Sequence, residues 1–187
     1  MRRGGVIVSV SWGYMFKKML LAATAAAVVA APIQAACWKA DEASAAGVRE
    51  LQSMLMVAAL RCQVAGHPMM SDYNDFVTAN RSAIGAMNDR IKAHFIRTFG
   101  PAGGQRAYDS FTTSMANGYG AASSGAEVCA DADSLAREGA GMGGSIEGLK
   151  LLAERQGLTA RLPEGLCEGV ARTDYASASG APETARR

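Results

Sequence analysis

Val48-Arg49-Glu50-Leu51-Gln52-Ser53-Met54-Leu55-Met56-Val57-Ala58-Ala59-Leu60-Arg61-Cys62 is the stretch on which the fold turns. Val48, Leu51, Leu55, Ala58 and Cys62 recur at alternating steps of three and four, the period of an α-helix. Met54, Met56, Val57 and Leu60 widen the apolar arc beyond one stripe, which predicts a central helix contacted from more than one side. From Asp41 to Val64 the only glycine is Gly47 and there is no proline, and Gly66-His67-Pro68 ends the run.

The same rhythm continues downstream. Ser71 reads as an N-cap with Asp72 and Asp75 in the first turn. Tyr73, Val77, Asn80, Ile84, Met87, Ile91 and His94 then form a four-three seam flanked by Phe76, Phe95 and Phe99. Gly100 stops this second helix and Pro101 opens a third, carrying Tyr108, Phe111, Met115 and Tyr119, with Gly118 and Gly120 at its end. A weaker segment, Ala126 to Glu138, presents Val128, Ala132 and Leu135. Ser145 caps a last helix with Ile146, Leu149, Leu152 and Ala153 inward, closed by Gly157 with Leu158 folding back. No run of alternating β-branched residues is present. The expected fold is all-α, an antiparallel bundle of four or five helices, with Leu51, Leu55, Ile84, Met87, Ile91, Phe111, Met115, Leu149 and Leu152 in its core.

The first 35 residues read as an address. Met15-Phe16-Lys17-Lys18 is a basic start, Met19–Ala31 is an uncharged run of 13 residues, apolar but for Thr24, and Ile33 and Ala35 stand at −3 and −1 of a signal-peptidase site. The run is shorter than the roughly 20 residues of a retained membrane helix. The expectation is a secretory signal over Met15–Ala35, with Met15 as the start of translation, and a periplasmic or secreted mature chain. Cleavage before Cys37, as in a lipoprotein, is the lesser alternative, because Gln34 replaces the usual aliphatic residue at −3. Residues 36–167 then form one helical domain, and 168–187, rich in Ala, Ser, Gly, Thr and charge, a disordered tail.

Charge excludes one class of function. The whole chain carries 19 basic and 17 acidic residues, but Arg2, Arg3, Lys17 and Lys18 precede the expected cleavage point, leaving 15 bases against 17 acids. A mildly acidic mature protein is not a nucleic-acid binder driven by a basic face. No later apolar run approaches a membrane span.

Cys37, Cys62, Cys129 and Cys167 are an even set in an exported chain, which favours disulfides. Their spacings of 25, 67 and 38 lack the close pairs of zinc or haem-attachment motifs. A helix from Asp41 to Cys62 is about 31 Å long, so Cys37 and Cys62 lie at opposite ends of the bundle. Up-and-down topology brings Cys129 to the Cys62 end and Cys167 back to Cys37. The expected bridges are Cys62–Cys129 and Cys37–Cys167.

Motifs with chemistry are few. Gly139-Ala140-Gly141-Met142-Gly143-Gly144 matches the dinucleotide fingerprint Gly-x-Gly-x-x-Gly but follows a helix rather than a strand, so it reads as a flexible link and no cofactor is expected. His67, Met69 and Met70, with Met54 and Met56 on the preceding helix, are candidates for a soft copper site, and methionines capping the bundle are the plainer reading. Asn80 and His94 fall on the seam, either as a polar pair lining a pocket or as residues that each satisfy local hydrogen bonds. A carboxylate pair, for example Glu50 with Asp89 or Asp109, could do acid–base work on a glycan, and exposed helix charge is the simpler account. Trp38, beside Cys37, is expected to pack against the disulfide at the end of the bundle.

Ala36-Cys37-Trp38, the stretch from Val48 to Cys62 quoted above, and Tyr73-Asn74-Asp75-Phe76-Val77 together resemble an uncharacterised group of small exported, four-cysteine helical proteins from alphaproteobacteria. The likeness continues through Ala107-Tyr108-Asp109 and Asn117-Gly118-Tyr119-Gly120. It implies location and fold, not activity. Some such sequences carry the label adenosylhomocysteine hydrolase, an enzyme that needs a dinucleotide domain. The 152 residues from Ala36 to Arg187, without strands, do not supply one. A non-enzymatic binding or accessory protein of the cell envelope, with another envelope protein as partner, is the expected function. A small peptidoglycan-directed enzyme and a copper or small-ligand carrier are the alternatives.

Overall fold

The structure is a computed structural model that describes residues 36–122 and 124–168. Among them are five helices: α1 Ala40–Val64, α2 Met70–Ala79, α3 Arg81–Gly118, α4 Ala126–Ala140 and α5 Ile146–Arg155. No strand occurs among the described residues, and the nearest approach is a single parallel bridge between Trp38 and Leu166. The expected signal segment and all but the first residue of the expected tail lie outside the described residues. No helix among those described is long and apolar enough to cross a membrane.

α1 is the central helix that its apolar arc predicts. Leu51, Leu55 and Ala59 are fully buried along it, with Val48 and Cys62 close behind. It packs against all four other helices. Its first turn carries Asp41 and Glu42 and its last turn Arg61, charges that oppose the helix dipole at each end. Gly66, at φ 82°, lets the chain reverse so that His67 N donates to Cys62 O at 2.8 Å.

α3 is a helical hairpin. At Gly100 the backbone takes φ 70° and ψ 172°, and Pro101 starts a second run, so 81–99 and 101–118 lie side by side. The first run is antiparallel to α1, since Arg90 pairs with Asp41 and Arg97 with Glu42 at the beginning of α1. The second run climbs back, bringing Tyr119 to Glu50 and Gly120 to Arg61. Gly104 allows the bend to close: a Cβ there would lie 2.7 Å from both Cα and N of Ile96.

Both expected bridges are present. Cys37–Cys167 ties the chain before α1 to the segment after α5, and Cys62–Cys129 ties the end of α1 to the first turn of α4. The Cα–Cα separations are 4.8 and 5.7 Å, within the usual range. Each closes a long loop, of 130 and 67 residues, for which chain entropy gives on the order of 4–5 kcal/mol apiece.

One expectation about the elements fails. The seam from Tyr73 to His94 predicts an unbroken helix starting from Ser71, but the helix starts at Met70 behind Met69 and stops at Ala79. Asn80 breaks it. Its Nδ2 donates to Phe76 O and Gly139 O, both at 2.8 Å, and its Oδ1 accepts from Gly144 N at 2.9 Å. The side chain thereby joins the α2–α3 corner to the α4–α5 turn, and φ −110° at Asn80 sets α3 off in a new direction. The core residue of α2 is Phe76, fully buried, while Val77 is only partly covered. Phe76 lies against Gly139, where a Cβ would meet its ring at 2.6 Å.

Candidate ligand-binding cleft

A buried polar knot fixes one end of the bundle. Lys39 N donates to Glu42 Oε2 at 3.0 Å, and the Arg97 guanidinium bonds both oxygens of the same carboxylate, with 2.9 Å from Nη2 to Oε2. His94 Nδ1 lies 3.1 Å from Glu42 Oε2 and 3.1 Å from Arg97 Nη2. Burial alone raises the Glu42 pKa, but the Arg97 hydrogen bonds, the Lys39 amide, the Arg97 charge and His94 together lower it to about 2. Burial lowers the pKa of His94, and this outweighs the pull of Glu42. The His94 ring is stacked on Trp38 with centroids 3.8 Å apart.

Trp38 is fully buried, the largest side chain in the core. Its Nε1 donates to Pro163 O at 2.8 Å, its backbone N to Gly165 O at 2.9 Å, and its carbonyl accepts from Cys167 N at 3.0 Å. The knot and the Cys37–Cys167 bridge thus hold the 161–167 segment against α1 and α3. Arg61 secures the other end, its guanidinium donating to the carbonyls of Gly120 and Ala122.

Between these two clamps lies an open cleft of about 630 Å3. Phe95, Phe99, Phe111 and Met115, from the two runs of α3, give it apolar walls, and Arg161 and Pro163 border it from the segment after α5. Phe95 stands 6.3 Å from Phe99 and 5.3 Å from Phe111, ring centre to ring centre. Polar chemistry enters through α1. The Tyr119 hydroxyl donates to Glu50 Oε1 at 2.8 Å, while Glu50 Oε2 is buried without a hydrogen-bond partner. Burial, then the bond to Glu50 and its charge, raise the Tyr119 pKa above its ordinary 10.0, so the phenol stays protonated and donating. A smaller groove of about 270 Å3 adjoins the Cys62–Cys129 end, lined by Met54, Val57, Val128 and Leu135 among others, and shares Tyr119 with the cleft.

Of the residues weighed from sequence for metal, acid–base or polar-pocket chemistry, Glu50 alone lines the larger cleft. Asp89 and Asp109 are exposed and neither lines it, so Glu50 is its one carboxylate among the described residues. His67 is exposed, Met69 is a buried core residue, and Met54 and Met70 pack partly buried against the core. Asn80 and His94 are both buried but belong to separate networks, Asn80 with Gly139 and Gly144, His94 with Glu42 and Arg97. Gly141 to Gly144 form the turn between α4 and α5, with Gly143 and Gly144 at positive φ. Ser145 caps α5 by accepting from Gly148 N.

Arg161 carries no distinctive sequence pattern, Tyr119 is marked only as a periodic position of the third helix, and Glu42 is masked by its place in an acidic first turn. Its place three residues after Lys39, whose backbone amide it accepts from, is the one local signal for Glu42; this is the carboxylate half of a capping box, since the Lys39 side chain has no acceptor. Phe111 and Met115 are only partly buried: their periodicity reads as core, but part of each faces the cleft.

No protein-family model, curated protein or solved structure matches this chain.

Proposed function

We propose that this is an exported, non-enzymatic binding protein of the cell envelope, and that its ligand occupies the cleft between the two runs of α3. The cleft itself carries this reading. Its volume of about 630 Å3 falls in the range of small-molecule sites, roughly 300–1,000 Å3, and apolar walls with few polar groups are the usual make-up of such sites. The lone Glu50 carboxylate, hydrogen-bonded by a phenol, offers recognition more readily than the paired acid and base of hydrolysis. Two formed disulfides support an oxidising compartment.

The test uses a neutral lipophilic dye, Nile red, and the variant Ser114→Trp, which places an indole in the cleft from an exposed position on its wall. The expected result is saturable dye fluorescence in the parent that falls at least tenfold in the variant, with an unchanged melting temperature. Equal fluorescence in both would mean that the cleft is not the site.

A protein partner is the second reading. Leu60, Val64 and Val128 are 54, 90 and 43% exposed near the Cys62–Cys129 bridge, an apolar group next to the smaller groove. Crosslinking in the periplasm followed by capture of this chain tests it. Recovery of one partner that disappears with Val64→Asp supports that reading, and recovery of the chain alone rejects it.

A further inference from the structure

Resting on the cleft as the binding site, we propose that its ligand is an organic cation: an aromatic or alkyl body that fills the Phe95–Phe99–Phe111 walls, bearing an ammonium that bonds to Glu50. Two observations converge. Glu50 reaches the cleft from α1 and has one oxygen bonded to Tyr119 and the other buried without a partner. Oε2 is closed off in the free protein, so the ammonium meets it through a turn of the carboxylate toward the cleft; a buried acceptor left unsatisfied costs free energy that this N–H restores, and the gain is larger when donor and acceptor are both charged. The rings of Phe95, Phe99 and Phe111 line the same space, and aromatic rings beside a carboxylate are the surroundings in which a desolvated ammonium is held.

Arg161 also borders the cleft, and its charge favours the opposite ligand. It is solvent-exposed, however. A hydrated surface guanidinium acts through a high effective dielectric, whereas the shielded Glu50 oxygen acts through a lower one. The carboxylate therefore sets the preferred sign, and Arg161 disfavours a second positive charge at the outer end of the ligand. A monocation fits better than a polyamine.

Three probes of one size separate the possibilities at pH 7: 2-phenylethylammonium, neutral 2-phenylethanol and anionic 3-phenylpropionate. They are titrated into the disulfide-intact protein and followed by calorimetry and by NMR shifts. The cation is expected to bind at least tenfold more tightly than the alcohol, with no measurable binding of the anion. Glu50→Gln should abolish that preference, bringing cation and alcohol to equal affinity. Equal affinity for cation and alcohol, tightest binding by the anion, or a cation preference that survives Glu50→Gln would overturn the proposal. Nile red binding that persists alongside any of these keeps the cleft and removes only the cation. Loss of dye binding by the parent protein itself removes the cleft.

Discussion

Replacing Gly104 by alanine puts the helical hairpin under direct strain. A methyl group there would lie 2.7 Å from Cα and N of Ile96 and 2.8 Å from C of Phe95, all backbone atoms that no rotamer change can move aside. Relief requires the two runs of α3 to part at the bend, where Phe95, Phe99 and Ala107 line the cleft. Gly85 is the internal control, because it is helical, lies in the same α3, and has nothing within 4 Å of its hypothetical Cβ. Both changes gain about 1 kcal/mol of helix propensity. At Gly85 that gain stands alone, so the protein is expected to be stabilised by roughly 0.5–1 kcal/mol. At Gly104 overpacking costs about 1–3 kcal/mol or more, and an overlap with backbone belongs at the upper end, for a net loss of about 2 kcal/mol. Denaturant melts give both values. Thermal melts should separate the two variants by about 10 °C, at roughly 4 °C per kcal/mol for a domain of this size. Gly104→Ala should also weaken Nile red binding, since parting the runs moves the aromatic walls. A Gly104→Ala protein as stable as Gly85→Ala would refute the close approach of the two runs.

The polar knot predicts acid sensitivity. Glu42, at about 2 against an ordinary 4.5, contributes stability that is fully present above pH 4.5 and lost as pH falls towards 2. His94, lowered from 6.5 by burial, adds a further loss below that pH because the folded state resists its protonation. Denaturation midpoints should therefore decline from about pH 6.5 to 2, and Glu42→Gln should flatten the lower part of the curve; a midpoint constant from pH 7 to 3 would contradict this. Leu55→Ala, at a fully buried position of α1, is expected to cost on the order of 2–5 kcal/mol, and a loss below half a kcal/mol would mean that α1 is not central. Asn80→Ala removes the bonds to Gly139 O and Gly144 N and should destabilise by about 2 kcal/mol or more. Hydrogen exchange should then show protection lost first at the α4–α5 turn, and uniform loss would speak against a local tie. Reduction of both disulfides should lower stability by several kcal/mol, checked by melts with and without reductant.

What was legible in the sequence was what neighbouring residues decide. The three-four spacing from Val48 to Cys62 marks α1 because a helix presents those positions on one side. Gly100-Pro101 marks the hairpin bend because the first residue tolerates positive φ and the second suits a first turn. Ser145 marks the start of α5 by its oxygen. The disulfide pairing also followed, because helix length puts Cys37 and Cys62 at opposite ends and the up-and-down course of the later helices decides which end Cys129 and Cys167 reach. Asn80 was not legible as a break, since it falls in register on the Tyr73–His94 seam, and what ends α2 is its bonding to Gly139 and Gly144, some sixty residues on. The cleft was hidden for the same reason: Glu50, Tyr119 and Arg161 meet only after the hairpin closes and Trp38 ties down the 161–167 segment. Phe111 and Met115 keep the period of core residues, and periodicity does not tell whether another element covers them.

Whether the cleft holds a small molecule in the working protein is answered most directly by native mass spectrometry of the chain purified from its native cells without detergent. The expected spectrum shows the mass of Ala36–Arg187 less four thiol hydrogens, plus one small-molecule adduct that is absent from Ser114→Trp. Bare protein in both samples, or the same adduct carried by Ser114→Trp, would contradict a ligand in the cleft.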